Sequence, residues 1–134
     1  MLNQAYTFYR VDRRFIKIIF SDILYLESCD HHTKIKTKDK TVMVLAYLSA
    51  VEAGLPPDMF CRVHRSYMVA IEHITSFDTE EVHIGDICLP ISNPYRGLLE
   101  AILPVSNYDK LPGSKVVRLG NKQAEKRKTV IRLA

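Results

Sequence analysis

The sequence predicts a mostly β domain made of small antiparallel sheets with one or two short helices. Short segments rich in β-branched and aromatic residues alternate between apolar and polar side chains. Polar intervals of turn length separate these segments, and only two stretches repeat apolar residues at a helical spacing. The 134 residues fit one core of ordinary domain size. We therefore expect a single folded domain.

Nine strands follow from the alternation. Lys38, Asp39 and Lys40 form a polar interval of hairpin length between two of them, with Ile35 facing inward and the neighbouring lysines outward. Gly85 and Asp86 supply the turn of a later hairpin. The predicted strands cover residues 5–9, 15–20, 23–28, 33–37, 41–46, 60–64, 73–77, 81–84 and 87–91.

Two helices are predicted. The first ends at Gly54, and its apolar positions are Leu45, Leu48, Val51 and Leu55. The second begins after Asn93, has Pro94 in its first turn and stops before Pro104. Its apolar face consists of Tyr95, Leu98, Leu99, Ile102 and Leu103.

The basic charge is concentrated at the C-terminal end. Residues 1–104 carry 11 Lys/Arg and 13 Asp/Glu, a net charge of −2, whereas residues 105–134 carry 8 and 2, a net charge of +6. The second segment also lacks an apolar period, apart from two short Val-containing pairs. We therefore predict a folded domain over residues 1–104 and a basic, flexible tail over residues 105–134.

Several classes of protein are disfavoured. No apolar run approaches the ~20 residues that span a bilayer, and the N-terminus lacks the pattern of a secretory signal. Cys29, Cys61 and Cys88 are an odd number without zinc-clip spacing. We expect a cytoplasmic protein, no membrane association and reduced thiols, with a redox-sensing cysteine pair as the alternative.

No catalytic or metal-binding pattern stands out. The five glycines form no phosphate-binding loop. Cys29, His31 and His32 lack an established partner spacing, and exposed loop histidines explain them better than a metal site. The acidic residues Asp78, Glu80, Glu81 and Asp86 fit a solvated strand edge. We therefore expect no enzymatic activity, no cofactor and no metal.

Three stretches carry a family resemblance. They read DILYLES over residues 22–28, RVHRSYMVAIEHI over 62–74 and ICLPIS over 87–92, followed by an amphipathic segment. Their order and spacing resemble the LytTR DNA-binding domain, the output module of many bacterial response regulators, over residues 15–103. The resemblance implies an elongated arrangement of small antiparallel sheets that reads DNA through loops between strands.

The resemblance also indicates which residues contact bases. Arg65 ends a strand-like segment, where it could pair bidentately with guanine; a surface ion pair with Glu72 is the alternative. His32, with His31 beside it, matches the family's groove-contacting position, and plain turn residues are the alternative. Asn93 could pair with adenine or, alternatively, only cap the following helix.

The DNA backbone contacts are predicted to come from five residues. Lys34 and Lys36 lie at even spacing and could follow the phosphates, or simply form a lysine-rich solvent face. Ser66 and Tyr67 follow Arg65 directly, and Arg96 is three residues beyond Asn93. These five contacts would supply affinity rather than sequence choice.

Other residues of the motifs are assigned to structure. His64 is expected to be a hydrogen-bonded structural histidine rather than a base contact. Ala70 stands where the family usually has Asn, so one local side chain to backbone bond is missing here. The predicted core contains Leu24, Leu26, Phe60, Val63, Leu89, Leu98 and Ile102.

Together these features predict a sequence-specific transcription regulator that binds repeated sites in double-stranded promoter DNA, with two or more copies associating there. A sensor kinase or receiver partner is expected, because such domains often follow a receiver; the chain is either a stand-alone regulator or part of a longer protein. One alternative is a protein-interaction module that has lost specific DNA binding, suggested by the acidic balance of residues 1–104. The other is an RNA-binding β domain, favoured if Tyr6, Phe8 and Tyr9 are exposed for stacking.

Overall fold

The computed structural model describes residues 4–106, which form ten strands and two short α-helices. The tail predicted over residues 105–134 lies almost entirely outside the described residues. The strands are β1 (Tyr6–Val11), β2 (Arg14–Ile19), β3 (Ile23–Cys29), β4 (His32–Thr37), β5 (Thr41–Val44), β6 (Phe60–His64), β7 (Tyr67–Ala70), β8 (Ser76–Phe77), β9 (Glu81–Ile84) and β10 (Ile87–Pro90). The helices are α1 (Leu48–Ala53) and α2 (Leu98–Ile102). Neither helix is long and apolar enough to cross a membrane.

The strands form three antiparallel sheets, as predicted. β1 and β2 make a two-stranded hairpin, and β10, β9 and β8 make a three-stranded sheet. The central sheet has the order β5-β4-β3-β7-β6. The predicted hairpins β4–β5 and β9–β10 are both confirmed by their antiparallel registers.

Two apolar cores lie on opposite faces of the central sheet. In β7, Met68 belongs to a first core and its neighbour Val69 to a second, because successive side chains of a strand point to opposite faces. The first core packs β1–β2 and α1 against Leu26 and Ile35, both fully buried. The second core packs the three-stranded sheet and Leu99 against the other face. The central sheet is therefore the layer on which the other elements are assembled.

β7 was not predicted, and its burial explains why. Met68, Val69 and Ala70 are all buried, because each face of β7 meets a core. A strand covered on both faces reads as a continuous apolar run without alternation. The predicted strand at residues 73–77 is mostly wrong: within it only Ser76–Phe77 forms a strand, and His73 ends a short 3-10 turn.

The second predicted helix is interrupted. Residues Asn93–Tyr95 form a 3-10 turn, Gly97 has a left-handed φ of 82°, and α2 begins only at Leu98. This break shifts the helical phase, so Leu99 is buried while Leu98 and Ile102 are exposed. The prediction that Leu98 and Ile102 belong to the core was therefore wrong. Asn93 makes no side-chain cap within this segment.

The other predicted core residues behave as expected, with two adjustments. Leu26, Phe60, Val63 and Leu89 are buried, and Leu24 is half-buried against the second core. Leu45 was predicted to lie in the first helix, but it precedes α1 and is 72% exposed. β5 correspondingly ends at Val44, short of the predicted residue 46. All three cysteines are free thiols.

Candidate nucleic-acid interface

Three loops meet at one end of the central sheet. The backbone N–H of Ser28, at the end of β3, donates to the carbonyl of Ser66 in the β6–β7 turn (2.8 Å). The backbone N–H of Ser92, just after β10, donates to the carbonyl of Val63 at the end of β6 (3.0 Å). These bonds bring the β3–β4 turn, the β6–β7 turn and the segment after β10 together.

We call this region the loop surface and define it as residues 30–32, 65–66 and 92–96. It gathers all four predicted base-contacting residues, although they come from positions far apart in the sequence. They are His31, His32, Arg65 and Asn93.

The β3–β4 turn presents one imidazole more openly than the other. Asp30 adopts a left-handed φ of 57°, which short polar residues tolerate better than most in tight turns. His31 is exposed, and its Nδ1 is hydrogen-bonded to the hydroxyl of Tyr47 (3.0 Å). His32 is half-buried and pairs with Cys29 across the strands. His31 is therefore the more accessible imidazole of the pair.

The β6–β7 turn is held by a network around Arg62. Its Nε donates to the carbonyl of His64 (3.0 Å), and its Nη2 donates to the carbonyl of Arg65 (2.7 Å). Its Nη1 forms an ion pair with Glu52 of α1. His64 Nδ1 accepts the backbone N–H of Ser66 (3.0 Å), so this histidine is hydrogen-bonded within the turn, as predicted. The turn is fixed through its backbone.

The Arg65 side chain is exposed at the tip of this fixed turn. Within residues 4–106, no carboxylate lies within ion-pair distance of its guanidinium. Glu72, the alternative partner considered above, lies instead 3.7 Å from the His73 imidazole. Among the described residues its donors are therefore left available for another acceptor.

The segment after β10 places Asn93 and Arg96 at the surface. Asn93 is exposed at the start of the 3-10 turn. The Arg96 guanidinium donates to Glu80 Oε1 (2.9 Å), with both side chains largely exposed. An exposed ion pair of this kind contributes little to stability, so a phosphate can replace the carboxylate at small cost.

A polar row crosses the central sheet behind the loop surface. The Lys34 ammonium lies 3.0 Å from Glu27 Oε1, and the Tyr67 hydroxyl donates to Glu27 Oε2 (3.4 Å). The hydrogen bond to Glu27 raises the pKa of Lys34, and burial followed by the Glu27 charge raises the pKa of Tyr67. Lys36 is on the same face of β4, as predicted, but has no ion pair within the described part of the chain. Lys34 and Tyr67 are therefore engaged with Glu27, and Lys36 is not.

Two residues of this region were not singled out from the sequence. Arg62 stands inside the quoted motif, and the fixed spacing of Arg62, His64 and Arg65 is the signal that could have indicated a shared turn. Tyr47 left no local signal, because its contact with His31 joins residues 16 positions apart.

The fold and the loop surface define a β-rich binding domain with polar side chains clustered on loops at one end of a sheet. The chain belongs to the LytTR family: the LytTr DNA-binding domain matches residues 13–103. It is accordingly a DNA-binding domain of the kind found in transcription regulators. This match confirms the predicted family resemblance, and the small antiparallel sheets described above confirm the predicted fold class.

Relatives and solved structures agree with this membership. The chain is 37% identical over 59 residues to the CO-responsive transcriptional regulator RcoM of Rhodospirillum rubrum, covering 44% of this chain and 25% of that protein. It is 42% identical over 90 residues to the sensory transduction protein LytT of Bacillus subtilis, covering 63% of this chain and 37% of that protein. The chain thus spans well under half the length of both relatives.

Among solved structures, the chain is similar to the LytTr DNA-binding domain of a methyl-accepting/DNA response regulator from Bacillus cereus. The TM-score is 0.61 at 25% identity, over 69% of this chain and 91% of that one. The arrangement of small antiparallel sheets is therefore that of a known LytTr domain.

Proposed function

We propose that this chain regulates transcription by binding specific double-stranded promoter sequences, with the loop surface reading base edges in the major groove. The base contacts come from His31, His32, Arg65 and Asn93. The backbone contacts come from Lys34, Lys36, Ser66, Tyr67 and Arg96.

The exposed Arg65 is the observation that carries this proposal. Its turn is fixed by Arg62 and His64, so little backbone freedom is lost when the side chain is engaged. A guanidinium matches the paired O6 and N7 acceptors of guanine, a contact worth about 1–3 kcal/mol of discrimination. A rigid turn is suited to this kind of contact when the exposed guanidinium at its tip has no carboxylate partner within residues 4–106.

The sites are repeated sequences bound by two or more copies. One loop surface reaches only a few base pairs, and the free energies of two linked contacts roughly add where the geometry allows both. Copies associate with each other on such DNA. A promoter-binding protein of this kind works in the bacterial cytoplasm, and its role is binding rather than catalysis.

The input is a sensory signal, delivered through a sensor kinase or receiver partner. The names of the relatives support a sensory input, since one is named for CO-responsive regulation and the other for sensory transduction.

Selection from a random duplex library by the full chain tests the proposal, at a moderate salt concentration that suppresses nonspecific attraction. Enrichment of a short motif in repeated copies is expected. Enrichment of no motif would contradict specific reading and would favour the alternative of a protein-interaction module.

A second candidate, binding of single-stranded RNA, is favoured by the outer face of the β1–β2 hairpin. Tyr6, Phe8 and Phe15 are 45%, 53% and 65% exposed there, whereas Tyr9 is half-buried against the first core. The Lys17 ammonium lies 4.4 Å from the Tyr6 ring centroid. Exposed rings beside cations suit base stacking. Direct binding of single-stranded RNA to wild type and to Phe8→Ala tests this candidate: RNA stacked on the hairpin should lose affinity when Phe8 is removed, and no RNA binding by wild type would contradict it.

A further inference from the structure

The outer face of the three-stranded sheet brings together three side chains that no part of the DNA-binding proposal uses. Val82 and Ile84 of β9, with Leu89 and Ile87 of β10, pack in the second core, so the alternate residues of both strands face away from it. His83 and Cys88 are direct cross-strand partners on this outer face. Glu81 is two residues before His83 and therefore shares the face.

The three side chains are close enough to hold one ion. One ligand atom from each of Glu81, His83 and Cys88 lies within 4.8 Å of the other two. His83 Nε2 is 2.8 Å from Glu81 Oε1. Because the three residues sit on paired strands, the hydrogen-bonded ladder sets their spacing, and little ordering is required when an ion binds.

The surrounding charge favours a cation. Asp78 and Glu80 lie in the turn before β9, and Asp78 Oδ1 accepts the backbone N–H groups of Glu80 (2.7 Å) and Glu81 (2.9 Å). A cation at this point offsets the negative charge of these carboxylates and of Glu81. Glu80 is itself paired with the Arg96 guanidinium.

We propose that Glu81, His83 and Cys88 bind a zinc ion, with a water molecule as the fourth ligand. Sulfur, nitrogen and oxygen donors in a three-residue set with one open position suit Zn²⁺, whereas Mg²⁺ and Ca²⁺ prefer oxygen ligands. Binding displaces the thiol proton to solvent and leaves Cys88 as a thiolate.

This site differs from the expectation of no metal, and the reason is spacing. Cys29, His31 and His32 stand out in the sequence because they are close in the chain. His83 and Cys88 are brought together only by the register of the β9–β10 hairpin.

Titration of the reduced, metal-free full chain with Co²⁺ tests the proposal, because a cobalt–thiolate bond gives a charge-transfer absorption band. One equivalent should bind with this band, and one equivalent of Zn²⁺ should displace it. Cys88→Ser should abolish the band, and His83→Gln should weaken cobalt binding. Both substitutions are on a solvent-facing sheet surface, so the unfolding temperature without metal should stay unchanged.

Cys29→Ser is the matched control, since Cys29 is also a free thiol with histidines beside it. This variant should keep the band. Wild type without a thiolate band would overturn the proposal. A band that survives Cys88→Ser, or that disappears in Cys29→Ser, would overturn it as well.

Discussion

Lys34 and Lys36 occupy equivalent positions on one face of β4, yet their surroundings differ. Lys34 is held 3.0 Å from Glu27, while Lys36 has no carboxylate partner within residues 4–106. A phosphate that approaches Lys34 meets a charge already offset by Glu27. Lys36 therefore offers the more available positive charge.

We expect Lys36→Ala to reduce the salt dependence of DNA binding more than Lys34→Ala. Each phosphate contact contributes about 0.9 to the slope of log affinity against log salt. Loss of Lys36 should lower the slope by roughly 1, the contribution of one phosphate contact. Loss of Lys34 should lower the slope by clearly less. Affinity for one duplex, measured across a series of salt concentrations, provides both slopes. Equal reductions in the two variants would contradict the role assigned to Glu27.

The sequence could predict which residues reach the loop surface but not what holds them there. Arg65 and Asn93 stand out because their motifs place them after strands. The bonds from Arg62 to two carbonyls, and the bond between Ser28 and Ser66, depend on which strands are neighbours in the sheet. That information is absent from local spacing.

At the scale of elements, the segment from Asn93 to Ile102 shows how one glycine changes a helix. A periodic apolar pattern predicts an uninterrupted helix from Pro94, but Gly97 takes a left-handed conformation and restarts it. The restart selects Leu99 for burial and leaves Leu98 exposed. β7 shows the opposite error, a strand that the sequence pattern did not predict. Its burial on both faces removes the alternation that identifies a strand.

Leu99→Ala should destabilise the domain far more than Leu98→Ala. Truncation of a buried leucine costs about 2–5 kcal/mol, whereas exposed positions usually change the free energy of unfolding by about 0.5 kcal/mol or less. Because Leu98 is 37% exposed, its cost should lie near the lower value. Urea denaturation of the two variants measures the difference. A larger cost at Leu98 than at Leu99 would contradict the break at Gly97 and support the uninterrupted helix predicted from the sequence.

At the scale of the whole molecule, the charge is divided unevenly along the chain. Residues 1–104 have a net charge of −2 and residues 105–134 of +6. Since general attraction to phosphates depends on such charges, we expect the C-terminal segment to supply nonspecific affinity. We expect sequence choice to rest on the loop surface, where the exposed Arg65 has no carboxylate partner within residues 4–106.

Arg65→Lys tests this central claim most directly, with Arg14→Lys as the control at an exposed position in β2. Lysine keeps the charge but loses the planar pair of donors that guanine requires. The measurement is affinity for the duplex enriched by selection and for an unrelated duplex, at one salt concentration. We predict that Arg65→Lys weakens specific binding roughly 5- to 150-fold, the equivalent of about 1–3 kcal/mol, and leaves nonspecific binding unchanged. Equal affinity of wild type and Arg65→Lys for the enriched duplex would contradict base reading by Arg65.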